Sequence, residues 1–268
     1  MYAAPIYGRP QDVADGGRRV AVRARLVPVP EPRGSFVAIV GANGSGKTTL
    51  AKHANGLLRP ARGRVLLDGA DIAPEPTARL ARRVGYVFQN PDQQIFSATV
   101  RDELAFGVRN LRVSDADARV TRALEEFGLQ DVAEDSPAVL GYGTRRLLTL
   151  AAVWAMQPSL WILDEPTTAL DARHADRVLQ VARAAQQAGA TVVLISHDLA
   201  RVAESAERVV VMSDGQVIGE GATRDVFADA PLLARARLSP PPLIALAQRL
   251  AWPLTPLTVA EFAASVSC

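Results

Sequence analysis

Gly41-Ala42-Asn43-Gly44-Ser45-Gly46-Lys47-Thr48 satisfies G-x-x-x-x-G-K-[ST] at every fixed position, a spacing suited to holding a polyphosphate. The glycines let successive backbone N–H groups converge on one point, and the N-terminus of a following helix adds partial positive charge. Lys47 is placed to reach the β- and γ-phosphates of a nucleoside triphosphate, and the Thr48 hydroxyl to ligate Mg²⁺. Thr49, next in the chain, is a further candidate nucleotide contact. The motif needs a strand before it and a helix after it. The apolar run Ser35-Phe36-Val37-Ala38-Ile39-Val40 supplies the first, and Thr49-Leu50-Ala51-Lys52-His53 begins the second. Lys47 and Lys52 are the only lysines among 30 basic residues. One of them thus stands where a compact ammonium on a flexible stem is needed and a planar guanidinium would not substitute.

A second group of residues completes a hydrolytic set. Leu160-Trp161-Ile162-Leu163-Asp164-Glu165 reads as an apolar strand ending in two carboxylates. The end of a buried parallel strand is the sheet edge at which phosphates bind. Asp164 is there a candidate Mg²⁺ ligand, acting through water, and Glu165 is poised to polarise an attacking water. Ser196-His197-Asp198 follows the apolar segment 191–195 in the same way, which makes His197 a candidate γ-phosphate contact. Gln89, at the end of the segment 84–89, is a neutral ligand able to reach both Mg²⁺ and the water.

The elements that must position these groups follow from periodicity. Apolar residues alternate over 19–27 with Arg19, Arg23 and Arg25 on the opposite face, predicting a half-exposed strand that Pro28, Pro30 and Pro32 stop. Residues 1–17 read as irregular. Further strands are expected at 64–67, ending in an Asp68-Gly69 turn, and at 84–89, 160–163, 191–195 and 208–212. Residues 91–158 are mostly helical, with a capping box from Ser114 to Asp117 and Gly128 as a C-cap. A helical run covers 174–187. Strands alternating with helices, several of them apolar throughout, predict a parallel α/β core divided by a helical insert. The tail from Pro231 is apolar but proline-rich, with a helix expected at 243–250; it either caps its own core or pairs with another chain.

Composition bounds the alternatives. A chain of 268 residues accommodates one large domain or a core with a subdomain. A net charge of +2, without a block of like charges, argues against a nucleic-acid binder held mainly by phosphate contacts. The single cysteine, Cys268, allows neither an internal disulfide nor a thiolate metal site, which suits the cytoplasm. The N-terminus lacks the charged start and apolar run of a signal peptide. The longest apolar region, 147–163, is interrupted by Gln157-Pro158-Ser159 and falls short of the about 20 residues that span a bilayer. A core helix followed by a buried strand is expected there, so any passage across a membrane would be built by other chains.

The order of phosphate loop, Gln89, Leu140-Gly141-Tyr142-Gly143-Thr144, Asp164-Glu165, Thr168-Ala169-Leu170-Asp171 and His197 resembles the nucleotide-binding subunit of ATP-binding-cassette (ABC) transporters over residues 34–221. Within that family, Phe88-Gln89-Asn90-Pro91-Asp92-Gln93-Gln94-Ile95-Phe96, the stretch 100–107 and the proline-rich tail are similar to the ATPases of energy-coupling factor (ECF) importers. The resemblance implies a P-loop NTPase (RecA-like) core over 1–90 and 159–225 with a mostly parallel sheet and an N-terminal antiparallel β element. It also implies a helical signature subdomain over 91–158 and a C-terminal extension over 226–268 with possible dimer contacts. It implies ATP and Mg²⁺ as ligands, with Thr48, Gln89 and Asp164 at the metal, Glu165, His197 and Gln89 in catalysis, and Asp171 in the dimer-facing loop. The implied partners are a second ATPase chain, a transmembrane coupling subunit and a substrate-binding membrane subunit, with this chain peripheral on the cytoplasmic membrane face. The implied activity is ATP hydrolysis driving uptake of a vitamin or transition-metal ion. Asn90 to Phe96 would link the γ-phosphate to the transporter.

Two departures qualify the resemblance. The family signature usually reads L-S-G-G-Q and completes the phosphate loop of a second cassette. Here Gly141 removes the hydroxyl, Tyr142 adds bulk and Thr144 shortens the glutamine. An asymmetric heterodimer is therefore expected, with a partner's regular signature completing this chain's loop. The aromatic residue that stacks on adenine is also out of place, Tyr7 lying further upstream than usual. Three alternatives remain: an ATPase of another ABC transporter class, a mainly ATP-binding regulatory partner, and a DNA-handling cassette. The last would need a long coiled-coil insertion or zinc-binding cysteines, and neither is present.

Overall fold

The computed structural model describes residues 6–8, 12–15, 18–21 and 34–266, with side chains from 34 to 265. The chain forms two compact units, one of Met1–Glu75 with Val193–Cys268 and the other of Pro76–Val192. In the first, β1 (Ile6–Gly8), β2 (Asp12–Asp15) and β3 (Arg18–Ala21) precede β4 (Phe36–Val40), α1 (Lys47–Ala54), β5 (Gly63–Leu67) and β6 (Ala70–Asp71). The second unit holds α2 (Thr77–Leu80), β7 (Val84–Val87), α3 (Val100–Asn110), α4 (Ala116–Phe127), α5 (Tyr142–Met156), β8 (Leu160–Asp164) and α6 (Ala172–Gln187). The chain returns to the first unit along β9 (Thr191–Ile195). It then adds α7 (Leu199–Ser205), β10 (Arg208–Ser213), β11 (Gln216–Ala222), α8 (Thr223–Ala228), α9 (Ala230–Arg235), α10 (Pro242–Arg249) and α11 (Val259–Val266).

Strand order in the first unit is β11-β10-β4-β9. β4 and β10 run parallel with Ala38 opposite Val209 and Val40 opposite Val211, and β11 folds back antiparallel on β10. Ala38, Val40, Val209 and Val211 are all fully buried. Burial on both faces is why these strands read as unbroken apolar runs. The strand feeding the phosphate loop thus lies between two neighbours. A small antiparallel sheet, β1-β5-β6, stands apart in the same unit, with Ile6 opposite Val65 and Leu67 opposite Ala70. Asp68 (φ 53°) and Gly69 (φ 82°) turn that second hairpin. Two left-handed residues match the twist of the flanking strands, and Asp-Gly is the pair that tolerates them.

In the second unit β7 and β8 run parallel, with Tyr86 opposite Ile162 and Val87 opposite Leu163. Trp161, Ile162 and Leu163 are buried, so β8 presents its terminal Asp164 from a rigid, dry strand. The helices α3, α4 and α5 pack on one another through Leu104, Val108, Val120, Leu124, Leu148 and Leu150, all buried. The Thr99 side chain caps α3 by accepting from the Asp102 N–H, and Gly128 in the left-handed region (φ 64°) ends α4.

Three expectations are revised. Residues 6–8 and 12–15 are strands rather than irregular chain, because β1 pairs with β5 across more than fifty residues, a contact that local composition does not encode. Of the strand expected over 19–27, Arg18–Ala21 is seen paired with β2, and residues 22–33 lie outside the described residues, as does Cys268. The Ser114–Asp117 capping box does not form. Asp115 is the N-cap of α4 without a side-chain cap bond, its carboxylate accepting instead from Arg119 at 2.9 Å and Arg122 at 3.3 Å. An available guanidinium one turn on is a stronger donor than a backbone N–H.

Candidate nucleotide-binding site

The phosphate loop belongs to the first unit and joins β4 to α1. Gly46 enters the helix in the left-handed region (φ 99°), and the first turn carries no acidic residue, so the positive end of the helix dipole is unopposed. Lys47 is buried, and its ammonium donates to the carbonyls of Gly41 at 2.8 Å and Ala42 at 3.2 Å. The loop therefore folds around its own lysine. Ser45 closes the loop twice, its N–H donating to Ala42 and its carbonyl accepting from Gly215 at 3.0 Å. The Ser45 hydroxyl is buried without a hydrogen-bond partner, a polar atom that a bound ligand would satisfy.

Gly41 is required for contact as well as for its positive φ of 157°. A Cβ there would lie 2.3 Å from the Met212 carbonyl oxygen on β10 and 2.6 Å from the Ser45 hydroxyl. Gly41→Ala must push β10 away from the loop. It is expected to weaken ATP binding at least tenfold and to destabilise the protein by about 1–3 kcal/mol, as read by calorimetry and a thermal melt.

His197 lies in the same unit, exposed immediately after β9. The preceding Ser196 is buried and donates its N–H to the Ile39 carbonyl at 3.3 Å, which holds this segment beside the strand that feeds the loop. Asp198 caps α7 by accepting from the Arg201 N–H.

The carboxylates, Gln89, the signature and Asp171 belong to the second unit. Asp164 is buried and accepts at 2.8 Å from the Tyr86 hydroxyl on the neighbouring strand. Burial and the adjacent Asp164 charge push the Tyr86 phenol far above its ordinary value, so it stays a donor at any working pH. Glu165 is buried too, with φ 49°, a left-handed conformation that a non-glycine residue adopts only under constraint. Thr168 donates its hydroxyl to the Glu165 carboxylate at 3.2 Å. Gln89 is exposed, two residues beyond β7. Tyr86 and Thr168 were not singled out by sequence; a tyrosine two register positions from a strand-terminal aspartate is the signal that could have found the first.

The signature opens α5. Leu140 is buried, Gly141 is the N-cap with no side-chain bond, and Tyr142 and Thr144 lie partly exposed in the first turn. Gly143 has a packing reason within its own subunit: a Cβ would sit 3.0 Å from the His174 ring on α6. His174 is held there by Asp171, which caps α6 by accepting from the His174 N–H at 2.9 Å and pairs with the ring Nδ1 at 2.8 Å. Those bonds to His174 lower the Asp171 carboxyl below its ordinary value. The signature and the Asp171 loop thus touch through one imidazole. Tyr7 lies on β1, backbone-paired with Arg64, and its side chain lies outside the described residues.

Residues 30–168 match the ABC transporter family. The chain is 44% identical over 248 residues to an energy-coupling factor transporter ATP-binding protein, EcfA1, of Symbiobacterium thermophilum, covering 91% of this chain and 85% of that one. It is 46% identical over 211 residues to a Methanosarcina acetivorans protein provisionally named an ABC transporter ATP-binding protein, where 78% of this chain spans only 34% of the relative. Among solved structures, cbiO1 of Clostridium perfringens, described as part of the ABC transporter complex cbiONQ, superposes with a TM-score of 0.73 at 28% identity, covering 94% of this chain and all of that one. The parallel strands with one antiparallel pair, the helical segment and the loop around Lys47 are those of this fold. The chain belongs to the ABC transporter family, as an ATP-binding ATPase component.

Proposed function

We propose that the chain is the ATP-hydrolysing subunit of an ECF-type importer, coupling hydrolysis to uptake of a vitamin or transition-metal ion through separate membrane subunits. The observation that carries this reading is the 44% identity to an EcfA1 protein along 91% of the chain. No helix among the described residues is long and apolar enough to cross a membrane, so the passage would be formed by a transmembrane coupling subunit and a substrate-binding subunit, with this chain peripheral on the cytoplasmic face.

Mg²⁺ suits the residues available. Thr48, Gln89 and Asp164 offer hydroxyl, amide and carboxylate oxygens, the hard donors this ion prefers, and the Tyr86 hydroxyl orients the Asp164 carboxylate. The bound ion would neutralise charge on the β- and γ-phosphates. Gly41 to Thr49 would cradle the phosphates, with the Lys47 ammonium turning from loop carbonyls to phosphate oxygens. Glu165 would polarise the attacking water and His197 would contact the γ-phosphate. Catalysis is then positioning with electrostatic stabilisation of the transferring phosphoryl group.

The altered signature favours a heterodimer. Gly141 leaves the N-cap of α5 without a hydroxyl, so a partner's ATP meets a weaker completion here, while ATP on this chain's loop is completed by the partner's regular signature. The second reading, a mainly ATP-binding subunit, rests on the same residues. Co-expression with candidate ATPase and membrane chains tests both. The mixed pair is expected to hydrolyse ATP several-fold faster than this chain alone, and the purified complex to carry a bound vitamin or metal ion. Equal rates would exclude the asymmetric pair. A cargo of another class would exclude the ECF assignment.

A further inference from the structure

The most deeply buried charge in the second unit has no role above. Arg146, one turn into α5, is fully buried, and its guanidinium donates to three main-chain carbonyls, those of Phe88, Gln89 and Glu165, the last at 3.4 Å. Its Nε finds no partner. Burial works against the charge, and the Tyr142 hydroxyl one turn earlier, together with Asp164 and Glu165, works for it. Side chains next to Arg146 tie α5 to the same segment. Arg145 meets Asp92 at 3.2 Å. Gln94 accepts from the Phe88 N–H at 3.1 Å and donates to the Thr149 carbonyl at 3.4 Å. Only a planar fork with several donors reaches carbonyls from two separate chain segments at once.

We propose that Arg146 is a positioning residue that makes the signature helix, the Gln89 segment and the backbone of Glu165 move as one body. A displacement imposed on residues 88–94 would then reach Glu165, one strand on in sequence, without crossing solvent. The inference rests on the proposed roles of Gln89 and Glu165 only for its kinetic consequence; the clasp itself is tested independently.

Arg146→Lys keeps the charge and loses the fork, since one ammonium cannot bridge the three carbonyls. Peptide-resolved hydrogen exchange on the full chain is expected to show protection lost at least tenfold in residues 88–94 and 165–168, with the phosphate-loop peptide unchanged. In the ATPase assay kcat is expected to fall about tenfold with KM for ATP within twofold. Arg146→Gln, which keeps an amide donor but not the fork, should give the same pattern and serves if the lysine variant does not fold. Unchanged exchange in those two segments, or protection lost uniformly over the chain, would overturn the clasp. If exchange responds but Glu165→Gln keeps its rate, the assignment of Glu165 fails and the clasp stands.

Discussion

Glu165→Gln is expected to lower ATP turnover about 10²-fold or more while MgATP still binds. The substitution is close to isosteric, and the left-handed backbone at Glu165, the Thr168 hydroxyl on its side chain and the Arg146 bond to its carbonyl need no negative charge. The fold should therefore be retained and the loss confined to the step in which a carboxylate polarises water. Steady-state hydrolysis with the partner chains present, alongside calorimetry, separates the two effects. A variant that keeps its rate would remove Glu165 from the chemistry and return attention to His197 and Gln89.

The second large effect falls on Lys47. Lys47→Ala should weaken MgATP binding by about two orders of magnitude, the scale of one or two charge-assisted hydrogen bonds to phosphate. The ammonium is already held inside the loop by the carbonyls of Gly41 and Ala42, so phosphate gains a donor whose position is set in advance. Lys47→Arg should fail comparably, because a planar guanidinium does not fit a space folded around one nitrogen. Calorimetric titration of the full chain with MgATP reads both. Affinity within threefold of the parent protein would contradict the assignment of the loop.

Local sequence announced the elements that carry chemistry because each is short, apolar and punctuated. β4 and β9 are apolar runs followed at once by Gly41 and Ser196, β8 is one that ends in Asp164, and helix α1 begins at Lys47 itself. The failures share one cause. β1 exists through its pairing with β5, β11 through its antiparallel return on β10, and neither has a strong pattern of its own. The Ser114 capping box fails because the helix starts one residue later, with Asp115 as N-cap and its carboxylate held by Arg119 and Arg122, donors in reach only once α4 has formed.

The site divides in the same way. Residue types and spacing pointed to a phosphate loop, paired carboxylates and the α/β class, and the order of the motifs resembled the family, because those functions need particular groups at fixed intervals along one strand or one turn. Tertiary structure decided why Gly41 and Gly143 are glycines, which hydroxyl orients Asp164, and what holds Gln89 and Glu165 in place. Each of those answers lies on a different element from the question: Met212 on β10, His174 on α6, Tyr86 on β7, Arg146 on α5. Periodicity reports which face of an element is buried. It carries no information about which atom that face will meet.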